Sequence, residues 1–106
     1  MKTIIRASLI VLALTFALST FSAAEAAADL YKTKCAICHG ASGAGDTVMG
    51  KNLNVRDLTS ADVQKQSDAE LANIIKNGKG KMPKYEGKLT DQQINDLVKY
   101  IRALKK

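Results

Sequence analysis

Cys35-Ala36-Ile37-Cys38-His39 gathers both cysteines of a 106-residue chain, and its single histidine, into five positions. Two thiols spaced i and i+3 near a helix end can each bond a vinyl group of one porphyrin. The adjacent imidazole then points a nitrogen at the metal. C-x-x-C-H is accordingly the attachment signature of c-type haem. Two other chemistries draw on similar residues. A thioredoxin-like redox pair belongs near a βαβ unit, and no persuasive strand pattern is visible here. A zinc site needs four N, S or O ligands, and this cluster has no further cysteine or histidine to recruit.

Haem iron has a second axial position. With no second histidine, bis-histidine ligation within the chain is excluded, and methionine is the remaining soft donor. Met1 belongs to a leader, which leaves Met49 and Met82. Met82 lies in Gly78-Lys79-Gly80-Lys81-Met82-Pro83-Lys84-Tyr85, a polar, glycine-rich loop where no helical stripe accounts for a methionine. Pro83 lacks an amide donor and stiffens the loop. Met49 follows His39 by ten residues and would have to loop around to the opposite haem face. Met82 is the expected partner of His39 on the iron.

Three helical segments are expected to position these groups. The first runs from about Ala27 to Cys38 and delivers the cysteines. The second opens at Ser67-Asp68-Ala69-Glu70, with the spacing of a capping box, and runs through Leu71, Ile74 and Ile75 to a left-handed stop at Gly78. The third opens at Thr90-Asp91-Gln92-Gln93, a second capping box. Its Ile94, Leu97, Val98, Ile101 and Leu104 fall on one helical face. Lys99, Arg102, Lys105 and Lys106 place positive charge at its C-terminal end, as the helix dipole prefers. Between the first two helices lies an irregular stretch with Gly40, Gly43, Gly45 and Gly50, followed by a weakly signalled turn over Ser60 to Gln66. No repeat and no low-complexity run appears. The expected class is all-α, with three main helices, short turns and long loops.

The N-terminus reads differently. Lys2 and Arg6 precede an uncharged apolar run from Ala7 to Phe21, and Ser22-Ala23-Ala24-Glu25-Ala26-Ala27-Ala28 follows. A basic start, a short apolar run and a small-residue exit make a secretory signal peptide. The run falls short of the ~20 residues of a spanning helix. Residues 1–26 are expected to be the cleaved leader and 27–106 a single domain exported to the periplasm, with no stable membrane insertion. So small a domain rarely holds together by apolar burial alone. A covalently bound haem would be its staple, and the apoprotein is expected to be largely unfolded.

C-A-I-C-H-G near the start, K-M-P-K-Y late and the terminal amphipathic helix together resemble the small monohaem class I c-type cytochromes of bacteria. The resemblance spans the expected mature chain. It implies helices wrapped around one haem c, with Cys35 and Cys38 holding the macrocycle and His39 and Met82 on the iron. It implies that the first and last helices cross, with Ala27 and Tyr31 meeting Leu97 and Tyr100. Leu53 resembles the leucine that lines the haem. One feature departs from the family. Many members place a proline in the glycine-rich stretch whose carbonyl holds the ligand histidine, whereas Pro83 is the only proline here. Another carbonyl near Val48 to Lys51 is expected to hold His39.

The resemblance implies a one-electron carrier and no enzyme. With both axial positions filled, iron changes oxidation state without binding substrate. If the Met82 position were open, the chain would instead be a small-gas sensor or a peroxidase-like enzyme. A third reading is a cytochrome subunit of a larger oxidoreductase. The chain carries 16 basic and 10 acidic residues, a formal net charge of +6. Lys79, Lys81, Lys84 and Lys88 surround the methionine loop against the single acid Glu86, which suits redox partners with acidic docking surfaces. Dispersed lysines without an aromatic platform do not make a nucleic-acid site. The expected state is a monomer or weak oligomer.

Overall fold

A computed structural model of the chain describes residues 22–104. The expected leader lies outside these residues except for 22–26, as do Lys105 and Lys106. Six α-helices run along the described chain: α1 (Ala23–Leu30), α2 (Ala36–His39), α3 (Val48–Leu53), α4 (Ala61–Gln64), α5 (Asp68–Asn77) and α6 (Asp91–Ala103). Among the described residues β-structure is confined to two isolated bridges, Lys79 with Met82 and Glu86 with Leu89. The all-α expectation holds.

The first expected helix is a longer rod than its periodicity suggested. It begins at Ala23, where the Ser22 hydroxyl accepts from the Glu25 amide at 3.2 Å. Alanine is the best helix former, so Ala23, Ala24, Ala26, Ala27 and Ala28 carry the helix upstream of Ala27 to the first available cap. The rod then widens into a π-helical segment over Tyr31–Cys35, where the Ala36 amide reaches back five residues to the Tyr31 carbonyl. A π-turn accommodates an extra residue within a helix. Ala27 and Tyr31 stay buried on one side, while the rod continues through α2 to His39.

α6 crosses this rod. Its expected stripe is buried at Ile94, Leu97, Val98 and Ile101. Tyr31 and Leu97, 2% and 1% exposed, are the largest fully buried side chains among the described residues. Each such side chain contributes roughly 1.5–3 kcal/mol by leaving water. The Tyr31 and Tyr100 rings stack with centroids 4.7 Å apart and planes tilted by 33°. Leu71 and Ile75 of α5 and Leu58, Val63 and Leu89 complete the core.

Capping chemistry sets the other boundaries. The Thr90–Gln93 box is complete, with Thr90 Oγ1 accepting from the Gln93 amide and Gln93 Oε1 from the Thr90 amide. At α5 half of the expected box forms: Ser67 Oγ accepts from the Glu70 amide at 3.1 Å, without the reciprocal bond. Gly78 stops α5 with φ 75° but ψ 170°. That conformation is open to glycine alone, and it lies outside the left-handed helical well expected there.

Arg102 does more than charge a helix end. Its Nε donates to Asp68 Oδ1 at 2.9 Å, its Nη1 to the Gln64 carbonyl at 2.8 Å, and its Nη2 to the Gln66 carbonyl. Gln64 Nε2 in turn donates to the Leu58 and Ile101 carbonyls. One guanidinium thus ties α6 to the end of α4 and the start of α5.

Candidate haem site

α2 ends at His39 because Gly40 turns the chain away with φ 82°. The Tyr31 hydroxyl donates to the Gly40 carbonyl at 2.6 Å, and the Gly45 amide donates to the His39 carbonyl at 2.8 Å. Thr47 fixes the same turn from the other side. Its Oγ1 is 2.8 Å from the Ile37 carbonyl and 3.2 Å from the Cys38 carbonyl, and it accepts from the Gly50 amide at 2.8 Å. This hydroxyl is also the N-cap of α3. The two short helices are thereby joined at a single atom.

Gly50 explains why that junction can be so close. A Cβ on it would lie 2.2 Å from the Cys38 carbonyl oxygen and 2.7 Å from that of Gly45. Backbone therefore packs on backbone just behind the cysteines. α3 was hidden in the stretch that read as irregular, since six residues with a glycine at the centre give no usable periodicity. The signal that could have found it is Thr47 as a cap and Asn54 as a left-handed stop at φ 54°.

Cys35, Cys38 and His39 face a cavity of about 400 Å³, a size within the roughly 300–1,000 Å³ of cofactor sites. Leu53, Val55, Leu58, Leu71, Ile74, Ile75 and Leu97 give it apolar walls. Met82 lines the same cavity from the loop after α5, and packs against the core. Met49 does not line it; it sits on α3, 46% exposed. Leu53, which the family resemblance expects beside the haem, lines this cavity.

The Met82 loop is held by its backbone. Lys79 and Met82 exchange amide-to-carbonyl bonds of 3.3 and 3.0 Å. The Tyr85 amide donates to the Ile75 and Lys76 carbonyls, and that of Glu86 to Lys76. Gly78 lets the loop leave the helix end: a Cβ there would come within 2.7 Å of the Met82 carbonyl oxygen. Tyr85 lines the cavity, and its hydroxyl donates to the Lys34 carbonyl at 3.2 Å. Burial raises the Tyr85 phenol above its usual range and keeps it a donor. Lys34, Lys79 and Lys81 are exposed and fringe the cavity; Lys84 and Lys88 are exposed beyond it.

The electrostatics suit a bound prosthetic group. Burial pulls the His39 imidazole below its ordinary range, with the Arg56 backbone opposing. The carbonyls from Val48 to Lys51, one of which is expected to hold His39, lie on α3, whose start Thr47 pins beneath the cysteine turn. His39 Nδ1 is buried without a hydrogen-bond partner among the described residues. A neutral imidazole is the form that ligates metal. Burial likewise pushes the Cys35 thiol up to about 11, with Lys34 lowering it and Cys38 raising it. A thiol that keeps its proton differs from the low-pKa nucleophile of C-x-x-C redox pairs. Two free thiols, a half-buried imidazole and a thioether around one apolar cavity fit the donor set of a covalent haem.

Relatives agree. The family described as Cytochrome C oxidase, cbb3-type, subunit III matches residues 22–101. Cytochrome c6 of Bryopsis maxima is 35% identical over 77 residues, covering 73% of this chain and 86% of that one. Cytochrome c6 of Leptolyngbya boryana is 37% identical over 78 residues, 74% of this chain and 88% of its own. Cytochrome c6 of a Picosynechococcus species is 34% identical, over 95% of this chain and 92% of that protein. A solved structure, the KustC0563 c-type cytochrome, superposes with a TM-score of 0.70 at 33% identity, covering 76% of this chain and 98% of its own. A family match over most of the described residues, relatives of similar length and a common fold lead to one lineage: the chain belongs to the cytochrome c family, as a small class I c-type cytochrome, an electron-transfer protein with covalently bound haem c.

Proposed function

We propose that the protein is an exported one-electron carrier in which Cys35 and Cys38 attach the haem and His39 and Met82 take its two axial positions. The observation that carries this reading is that all four side chains, from two separate parts of the chain, line one cavity. Haem supplies a reversible one-electron change at iron. The protein's residues tune it. Thioether with imidazole ligation raises the potential relative to two nitrogen ligands, and the apolar walls disfavour the additional charge of the oxidised state. Filling both axial positions from the chain keeps substrates off the metal.

The N-terminal pattern of residues 1–26 supports export to the periplasm before haem attachment, with cleavage near Ala26 and a mature domain of 27–106. Likeness to the cytochrome c6 relatives favours a carrier, and we take it to be monomeric or weakly oligomeric. The lysines at the rim, Lys34, Lys79 and Lys81, with Lys84 and Lys88 beyond, suit a transient partner with an acidic face. Reduction by that partner would then slow steeply with salt. The family description, naming an oxidase subunit, favours a second reading as a tethered subunit. Stable co-purification with an oxidoreductase, and an uncleaved leader, would support that one.

The test is a visible spectrum of the matured protein, oxidised and reduced, with carbon monoxide added to the reduced form. A low-spin c-type spectrum that carbon monoxide does not move, against a Met82→Ala variant that binds it, supports the carrier. Ready binding by the wild type means an open sixth position and moves the sensor or peroxidase reading ahead.

A further inference from the structure

We propose that Tyr85 is a positioning residue that keeps the Met82 loop closed against the haem-attachment rod, an inference that rests on Met82 as an iron ligand. The loop from Gly78 to Leu89 is anchored on one side, by the bonds of the Tyr85 and Glu86 amides to the last turn of α5. Nothing in those bonds reaches the rod that carries the cysteines. Among the described residues, one hydrogen bond joins the loop to that rod: Tyr85 Oη to the Lys34 carbonyl, 3.2 Å long and spanning 51 residues of sequence.

Its position gives it leverage. Lys34 immediately precedes Cys35, and Tyr85 follows Met82 by three residues. The Tyr85 ring lines the cavity between these two points. The same residue grips α5 with its amide and the rod with its hydroxyl, so the two lips of the cavity are held at one residue. Breaking the hydroxyl contact leaves the ring packed but frees the loop to swing on its α5 anchor. The thioether would leave the iron more often. Tyr85 does not touch iron in this role; it sets how long Met82 stays.

The experiment uses the matured haem protein as wild type, Tyr85→Phe, Tyr85→Leu and Met82→Ala. The limiting rate of imidazole binding to the oxidised form, at saturating imidazole, reports how often the sixth position opens. The expected result for Tyr85→Phe is a limiting rate up by roughly fivefold, the factor that one net hydrogen bond gives. The long-wavelength ferric band of thioether ligation and the thermal midpoint should stay near wild type. Tyr85→Leu, which also loses the ring, should open faster still. A Tyr85→Phe limiting rate equal to wild type overturns the proposal, as does a lowered thermal midpoint in both variants without faster opening. A wild type that lacks the thioether band, and binds imidazole as fast as Met82→Ala, overturns the ligand reading itself and Tyr85's role with it.

Discussion

The crossing of α6 over the α1 rod and the loops around the cavity are built by different means. At the crossing, side chains do the positioning: Leu97, Val98 and Ile101 bury a stripe, Tyr31 stacks on Tyr100, and Arg102 ties three segments together. Around the cavity, backbone does it. Gly50 sits against the Cys38 carbonyl, Gly78 against that of Met82, and the Thr47 hydroxyl bridges two helix ends. A side-chain interface tolerates adjustment by rotamer change, whereas a backbone contact has little to adjust. The crossing therefore sets how stable the molecule is, and the loops set where its donors stand.

The sharpest way to break this contrast is to remove what the loops surround. A Cys35→Ala, Cys38→Ala double variant should fail to attach haem and lose most of its far-ultraviolet helical signal. A cooperative, helical apoprotein would mean that the crossing is a sufficient nucleus alone. Next in size, Ile94→Ala should cost about 2–5 kcal/mol in denaturant unfolding, since its side chain is buried on the α6 stripe and does not line the cavity. The contrast predicts that the visible spectrum of the folded variant scarcely moves. Gly50→Ala should show the converse. Its stability loss should be about 1–3 kcal/mol, the range of overpacked sites, but haem attachment or the ferric spectrum should change clearly. Thr47→Val should be the mildest, about 1–2 kcal/mol for a lost cap. Thr47→Ser should restore most of that, because the bridging hydroxyl returns.

The same contrast explains what could be read before any fold was known. Ile94, Leu97, Val98 and Ile101 repeat at helical spacing, and Thr90 announces the cap, so the start and the buried face of α6 were legible, while its end at Ala103, with Leu104 as the cap, was not. C-x-x-C-H and the lone methionine in a polar loop exposed the candidate site because their chemistry has few other uses. α3 was not legible: Gly50 serves by its missing side chain, and absence leaves no periodicity to detect. The Tyr85 hydroxyl bond and the Arg102 staple were equally out of reach, since each joins residues more than thirty positions apart. Tyr31 was read as a packing residue alone; its hydroxyl on Gly40 also steadies the turn after His39.

The π-helical segment Tyr31–Cys35 carries one more meaning. A regular α-helix advances about 100° per residue, so the two ends of the rod are set to a relative phase by how many residues lie between them. The widened turn absorbs one residue of that count. Deleting one residue from 32–34 would relax the segment to plain α-helix and leave the motif on its present bearing relative to Ala27. The same deletion within α1 would turn the face that meets α6 away from it by about a quarter of a revolution. The rod thus behaves as a shaft with a built-in slip coupling. Length changes between the crossing and the cysteines can be taken up at one place without re-aiming either end.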